Sequence, residues 1–189
     1  GNNVPSIKRF ISEVKQGMTP MTVWKYTEVG HSQDAAQKLK KLFDGKAFFD
    51  YPKSVDLIKR CVQLYSSEDC IVLDFFGGSA TTADSVMQLS ASGHNCNFIL
   101  VQLPFELKER LKECDASKKK QIENTIQWLN SIGYPTTYDY VGFERIKRAS
   151  NKVREENPQF AGDLGFKHYT LEEPKENLLL KMEKFNPDK

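Results

Sequence analysis

The sequence predicts an α/β fold in which a partial, mostly parallel sheet is flanked by helices. Two apolar runs, residues 71–73 and 97–103, are nearly continuous rather than alternating, which is typical of parallel strands buried on both faces. Residues 82–92 between them have helical periodicity, and Gly93 is a good helix stop. The first run leads directly into small and hydroxylated residues. A strand, a tight turn, a helix and a second strand in this order predict a parallel pair with a binding turn at its carboxyl end.

Upstream of this unit the chain alternates between weak and strong signals. Residues 6–16 are compatible with a short helix, residues 21–27 alternate like a short strand, and residues 33–43 predict a helix. Pro52 precedes the next predicted helix, residues 55–65. The apolar positions of that helix recur at helical spacing: Val55, Leu57, Ile58, Cys61, Val62, Leu64 and Tyr65.

Downstream, the pattern predicts helices over 105–113 and 117–132, the latter with Ile122, Ile126 and Leu129 facing inward. Asp139 is a candidate N-cap for a long helix that ends near residue 156. Its apolar face would be formed by Phe143, Ile146, Ala149 and Val153. Residues 164–171 are expected to form a strand antiparallel to the others, and residues 178–180 a short docked helix. The expected organisation is an N-terminal segment (1–46), a binding domain (47–175) and a tail (176–189).

The turn after the first strand carries the clearest chemical signal. Gly77 and Gly78 allow a sharp bend and a close approach of the backbone to a ligand. Ser79, Thr81 and Thr82 are expected to cap the following helix with their hydroxyl oxygens. Neither GxxxxGK[ST] nor GxGxxG is present, which argues against both phosphate-binding motifs. A strand-to-helix turn made tight only for packing is the alternative interpretation.

Several motifs in order resemble the β-class DNA methyltransferases, and most closely the modification subunits of type III restriction systems. Residues 71–82 match the LDxFxGSGTT motif, and residues 51–53 match YPKP. Further matching segments follow in the family's order and extend the resemblance from about residue 22 to residue 171: residues 39–43, 98–104, 144–149 and 162–167. The resemblance implies a Rossmann-like methyltransferase sheet and S-adenosyl-L-methionine as cofactor.

The resemblance also implies which residues hold the cofactor. Asp74 and the backbone of the turn would line its methionine and ribose side, Lys53 would approach the methionine carboxylate, and Gln102 would contact the ribose hydroxyls in place of an acid, with Glu106 as a possible substitute. The complete set of expected cofactor-binding residues is Tyr51, Lys53, Asp74, Phe75, Phe76, Gly77, Gly78, Ser79, Thr81 and Gln102.

One departure from the motif affects cofactor affinity. Ala80 replaces the second glycine of GSGTT. If this position has a positive φ, alanine weakens the turn; if it is already helical, alanine fits better than glycine.

The segment that holds the target adenine in this family, D/N/S-PP-Y/F, has no match here, because the eight prolines are scattered without a Pro-Pro pair. We therefore expect the C-terminal part of a larger DNA adenine-N6 methyltransferase, either an expressed fragment or a natural truncation, that does not methylate DNA alone. The sequence assigns no catalytic residue and no metal ligand to this chain. The missing half would leave an unpaired apolar edge at residues 71–73, for which we expect self-association or rearrangement.

Composition sets the remaining expectations. A net charge of +2 is too small for a DNA-coating protein, and the densest basic groups, residues 118–120 and 145–154, are interpreted mainly as solvated helix faces. The four cysteines lack CxxC spacing and are expected to be reduced and buried. The three histidines are isolated and no chemistry is assigned to them. Without an apolar run of roughly 18 residues or a secretion signal, a cytoplasmic protein without a membrane partner is expected.

Three functions are compatible with the sequence. The first is the cofactor-binding part of a methyltransferase, whose partners would be DNA, a restriction subunit and a second copy of the parent protein. The second is a non-catalytic interaction module that keeps the fold and has lost the cofactor, which Ala80 and Gln102 favour. The third, an oxidoreductase or nucleotide-binding domain, is disfavoured by the missing glycine pattern and by Gln102 at the usual acid position.

Overall fold

The computed structural model describes residues 10, 12, 19–66 and 69–172. The helix expected over residues 6–16, apart from positions 10 and 12, and the short helix expected at residues 178–180 lie outside this part of the chain.

Helices and strands follow one another in the order that the periodicity predicts for the central unit. The elements are α1 (Tyr26–Val29), α2 (Ser32–Leu42), α3 (Val55–Tyr65), β1 (Cys70–Asp74), α4 (Thr81–Ala91), β2 (Cys96–Leu100), α5 (Leu107–Glu113), α6 (Ala116–Ser131) and α7 (Tyr138–Glu156). The helix–strand–turn–helix–strand order around the glycines is therefore confirmed.

β1 and β2 form a parallel two-stranded sheet in which Cys70 is paired with Cys96 and Asp74 with Leu100. Alternate residues of each strand point to opposite faces. One face, with Val72 and Phe98, packs against the helical core, whereas the other is exposed. The mixed helix and strand architecture is as expected, but the described residues contain two strands rather than a full Rossmann-like sheet.

Two expected strands are wrong. Residues 164–171 form neither a strand nor a helix, and the alternating residues 21–27 lead into helix α1 instead. The strand at residues 21–27 was expected from the alternation of its side chains, which does not supply the neighbouring strand that a ladder requires. The second central strand is also shorter than expected, because it ends at Leu100 rather than at Leu103.

The described residues form three hydrophobic clusters, two of which include α4 and which we treat together as the first centre of the core. Against the sheet, α4 contributes Ala83, Val86 and Leu89, which are almost completely buried. The second centre joins α2, α5, α6 and α7, where Phe43 and Phe48 pack on Trp128. Because Leu39 and Phe43 belong to this centre, the segment before residue 47 shares a core with the domain that follows it.

The expectation of four reduced cysteines is wrong for one pair. Cys70 and Cys96 form a disulfide, while Cys61 and Cys114 are free and half-buried. The physical reason is the register of the sheet, which places Cys70 directly opposite Cys96 with a Cα–Cα distance of 4.7 Å. A sequence separation of 26 residues gives no hint of this pairing.

Candidate cofactor site

The glycine-rich turn bridges β1 and α4 in a fixed conformation. Gly78 has a φ of 51°, in the left-handed region that glycine adopts without strain. The Gly77 N–H donates to the Val101 carbonyl at 3.0 Å, and the Ala80 N–H donates to the Gly77 carbonyl at 2.7 Å. The turn is therefore tied both to itself and to the chain beyond β2.

The backbone of Ala80 has a positive φ, which is the case in which alanine weakens the turn. Its φ of 56° and ψ of 34° are left-handed, so alanine is strained here by about 1–2 kcal/mol relative to glycine. The residue is 97% buried in the core between α4 and α7, and burial of its methyl group contributes about 0.8 kcal/mol. The alanine is therefore a compromise between backbone strain and packing rather than a helical residue.

Asp74 holds the turn from the end of β1. Its Oδ1 accepts a hydrogen bond from the Phe76 N–H at 2.9 Å, and its Oδ2 accepts one from the Thr82 hydroxyl at 2.6 Å. This corrects the expected caps: Ala80 is the N-cap residue of α4, no side chain caps the helix, and Thr82 donates to Asp74 instead.

Arg145 is the residue of this region that the sequence interpretation missed. Its side chain is 96% buried and reaches from α7 to the turn. One terminal nitrogen donates to the Ser79 carbonyl, the Ser79 hydroxyl and the Thr81 hydroxyl at 2.8–3.0 Å, and the other donates to the Asp84 carboxylate at 2.9 Å. The expectation that residues 145–154 form a solvated helix face is therefore wrong for Arg145.

The helical periodicity contained the signal for this burial. Arg145 precedes Ile146 and lies four residues before Ala149, on the apolar stripe of α7. Burial lowers the pKa of the Arg145 guanidinium, and the Asp84 carboxylate opposes that shift. An arginine on a buried stripe needs a partner of this kind, because an unpaired buried charge is expensive.

A cavity of about 320 Å³ lies beside the turn and collects part of the expected site. Of the expected residues, Tyr51, Gly78 and Gln102 line it together. The other lining residues were not expected: Phe48, Phe49, Asp50, Phe105, Arg110, Lys118, Gln121 and Tyr138. The YPK segment, the glycine-rich turn and the end of the second strand therefore meet in one cavity.

Gln102 lies two residues beyond the end of β2 and is already engaged. Its Oε1 accepts the Gly78 N–H at 2.6 Å, and its amide nitrogen donates to the Leu103 carbonyl at 3.0 Å. A carbonyl oxygen has two lone pairs, so Oε1 keeps one acceptor position. Glu106, the possible substitute, is exposed at the start of α5 and does not line the cavity.

The cavity contains both signs of charge and a protonated phenol. Lys118 Nζ lies 3.5 Å from Asp50 Oδ2, and the Arg110 guanidinium lies 5.7 Å from the centre of the Tyr138 ring. Burial raises the pKa of the Tyr138 hydroxyl, although Arg110 opposes the shift. Tyr138 is therefore a hydrogen-bond donor at neutral pH.

The remaining expected residues lie around the cavity without lining it. Lys53 is exposed between the buried residues Pro52 and Ser54. Phe75 and Phe76 are exposed at the tip of the turn, whereas Ser79 and Thr81 are buried under Arg145. Asp74 and Gly77 act through the turn itself. The expected set thus divides into residues that line the cavity and residues that shape the turn.

The described residues show neither a membrane-spanning helix nor a metal-binding cluster. No helix in the described part of the chain is both long and apolar enough to cross a membrane. Among the same residues, no group of three or more His, Cys, Asp and Glu side chains is arranged to hold a metal ion.

The sequence of this chain is similar over most of its length to proteins of restriction-modification systems and to a type II methyltransferase. It is 34% identical over 162 residues to the Mod subunit of the type III restriction-modification enzyme StyLTI of Salmonella typhimurium, which covers 85% of this chain and 22% of the relative. It is 31% identical over 149 residues to the EcoPI Mod subunit of Escherichia phage P1, which covers 78% and 20%. The type II methyltransferase M.KpnI of Klebsiella pneumoniae is 27% identical over 132 residues, which covers 69% and 31%.

The chain spans about a fifth of the length of these Mod subunits. The model of the DNA methylase family N6_N4_Mtase matches residues 3–155, which include the glycine-rich turn, the cavity and Arg145. The chain therefore belongs to the N6_N4_Mtase family of DNA methylases.

Proposed function

We propose that this chain is the S-adenosyl-L-methionine-binding part of a site-specific DNA adenine-N6 methyltransferase. The observation that carries the proposal is the cavity beside the glycine-rich turn, where Tyr51, Gly78 and Gln102 meet at the carboxyl end of two parallel strands. Ligands of open α/β sheets bind at this end of the strands. Family membership supports the same cofactor.

The residues present fit such a cofactor in size and chemistry. A volume of about 320 Å³ is at the lower end of the range for small-molecule sites. The aromatic rings of Tyr51, Phe105 and Tyr138 offer faces for an adenine ring. The free acceptor position of Gln102 suits a ribose hydroxyl.

The methionine end of the cofactor carries a carboxylate, for which the cavity offers cations. Arg110 and Lys118 line the cavity, and Lys53 follows Tyr51 by two residues. Arginine binds carboxylates through two parallel hydrogen bonds, which makes Arg110 the best suited of the three. We retain Lys53 as a second contact for the same group.

The chain's own residues bind and orient the cofactor but do not complete the reaction. A bound S-adenosyl-L-methionine supplies an activated methyl group on sulfur. Asp74, Ser79 and Thr81 keep Gly78 in place through the turn, and Gln102 anchors the Gly78 N–H. The segment D/N/S-PP-Y/F, which would hold the adenine, has no match in this sequence, so transfer to DNA requires the parent protein.

The names of the relatives support a proposal for the partners of the parent protein. Two relatives are named as Mod subunits of type III restriction-modification enzymes. We propose that the parent binds DNA, pairs with a second copy of itself and acts with a restriction subunit in the cytoplasm.

A non-catalytic interaction module is the second candidate. The strain at Ala80 and the engagement of both Gln102 amide groups favour it, because each reduces what the turn offers a ligand. The two candidates differ in one measurable property, which is cofactor binding.

Isothermal titration calorimetry of the 189-residue chain separates the two candidates. We expect heat of binding with S-adenosylmethionine and with its demethylated product, and none with NAD. Tyr51→Ala should weaken binding by about two- to tenfold, because a lost aromatic stacking contact costs about 0.5–1.5 kcal/mol. Tyr65→Ala is the matched control, since Tyr65 is 88% exposed and Tyr51 82% exposed, and only Tyr51 lines the cavity.

No heat with either sulfur ligand would contradict the cofactor-binding candidate and favour the interaction module. Equal loss of affinity in Tyr51→Ala and Tyr65→Ala would place the cofactor elsewhere. Transfer of a radiolabelled methyl group to DNA by this chain alone would contradict its proposed inactivity.

A further inference from the structure

A second and larger cavity of about 750 Å³ lies between the α2–α3 connection and helix α6. Its lining residues come from the end of α2, the segment that follows it and one face of α6: Lys40, Gly45, Lys46, Ala47, Phe48, Ser117, Lys120, Gln121, Asn124, Gln127, Trp128 and Ser131. We call it the α6 groove. It adjoins the cofactor cavity, because Phe48 and Gln121 line both.

The charge of the α6 groove has one sign. Lys40, Lys46 and Lys120 line it, and no carboxylate does. None of these three lysines forms an ion pair with any residue that the structure describes. Lys46 helps to lower the pKa of Asp44, but the Asp44 carboxylate is bound by Arg148 at 2.6 Å. The groove therefore presents three uncompensated cations.

One lysine and four neutral polar residues of the groove are arranged in a row. Ser117, Lys120, Asn124, Gln127 and Ser131 recur every three or four residues and are exposed along one face of α6. At 1.5 Å per residue the row is about 21 Å long. One DNA strand has a phosphate every 3.4 Å along the helix axis, so the row is long enough to follow several phosphates.

The aromatic residues of the groove are not available for stacking on bases. Phe48 and Trp128 are 3% and 7% exposed and stack on each other with ring centres 4.2 Å apart. Proteins that bind single strands use exposed aromatic faces as stacking platforms. Contacts from lysine, serine, asparagine and glutamine without such faces are typical of the phosphate backbone of a duplex.

We propose that the α6 groove binds the phosphodiester backbone of duplex DNA. Only the identity of the polymer rests on the proposed function; the affinity for a row of phosphates follows from the groove itself. Backbone contacts fix the position of a protein on DNA without reading its sequence. The groove would thus hold the duplex next to the cofactor cavity.

Fluorescence anisotropy with a labelled 20-base-pair duplex, without cofactor and over a series of salt concentrations, tests the proposal. Each phosphate contact contributes about 0.9 to the slope of log K against log salt. The variant with Lys40→Gln, Lys46→Gln and Lys120→Gln should therefore lose about 2.7 of that slope and bind more weakly at every salt concentration. Lys108→Gln, Lys112→Gln and Lys167→Gln make a control with the same change in charge, because these three lysines are exposed and lie outside the groove.

Three results would overturn the proposal: no binding of the duplex at low salt, equal losses in the two triple variants, or tighter binding of a single strand of the same length. Competition with inorganic phosphate distinguishes a polymer site from a site for one small anion, since millimolar phosphate displacing the duplex beyond its effect on ionic strength indicates the latter. Calorimetry of the groove variant with S-adenosylmethionine should match the wild-type chain. If the wild-type chain does not bind S-adenosylmethionine, the proposed cofactor function is wrong, whereas the result of the duplex measurement still stands.

Discussion

Arg145 shows how a single buried charge organises the turn. Its guanidinium contacts residues on both sides of Ala80 and one carboxylate in the first turn of α4. The left-handed conformation of Ala80 is unfavourable by itself and persists only where the surroundings fix it. Ser79 and Thr81, which flank this alanine, are both held by Arg145.

We expect Arg145→Met to lower the free energy of unfolding by about 3–5 kcal/mol, because it leaves the buried Asp84 carboxylate without its cation. Urea denaturation followed by circular dichroism measures the change. Arg154→Met on the same helix is the control, since Arg154 is exposed and should lose less than about 0.5 kcal/mol. Adding Asp84→Asn to Arg145→Met should recover part of the loss. A loss below about 1 kcal/mol for Arg145→Met would show that the pair is not a fixed part of the fold.

The elements around the turn were predictable because their signals are local. Helical periodicity and the two apolar runs predicted α2 to α7, β1 and β2, and the glycines predicted the turn. Residues 164–171 were misassigned, because strand formation depends on a partner strand that the local sequence does not identify. The cap assigned to Asp139 was also displaced: Thr137 is the N-cap residue of α7, and Asp139 lies in its first turn.

The site was only partly predictable for a related reason. Tyr51, Gly78 and Gln102 could be named because motifs are contiguous in sequence and lie at the ends of predictable elements. Arg110 and Tyr138 belong to α5 and α7, and no local pattern shows that these helices reach the turn. The pairing of Cys70 with Cys96 likewise depends on register, which the sequence of each strand alone does not define.

At the level of the sheet, the disulfide gives a direct test of this register. Under non-reducing, denaturing conditions, alkylation should label Cys61 and Cys114 and leave Cys70 and Cys96 unlabelled. Cys70→Ser should lower the free energy of unfolding by about 3 kcal/mol, because the unfolded chain regains the entropy of an open loop. Cys61→Ser, which opens no loop, should change it much less. Peptide mass spectrometry measures the labelling, and four labelled cysteines without reductant would contradict the pairing.

In the whole molecule, the sheet leaves one face uncovered. Ile71, Leu73 and Ile99 are 67%, 51% and 50% exposed, and Phe75 and Phe76 extend the same apolar region beyond the strand. Within the described residues β1 also has only one paired edge. Contiguous exposed apolar surface next to an unpaired strand edge favours association with another chain. The edge expected from the sequence is thus accompanied by an exposed face.

We therefore expect this chain to self-associate through β1. Light scattering after size-exclusion chromatography should give a mass above 21.6 kDa that rises with protein concentration. Ile71→Thr with Leu73→Thr should return the mass toward the monomer, because threonine keeps the strand propensity of the position and removes apolar surface. Val23→Thr with Leu171→Thr is the matched control, since these side chains are 72% and 87% exposed outside the sheet and should leave the mass unchanged. A thermal melt of each variant checks that the fold is retained. A mass of 21.6 kDa at every concentration of the wild-type chain would contradict the prediction, because it would show that the exposed face of the sheet does not cause self-association.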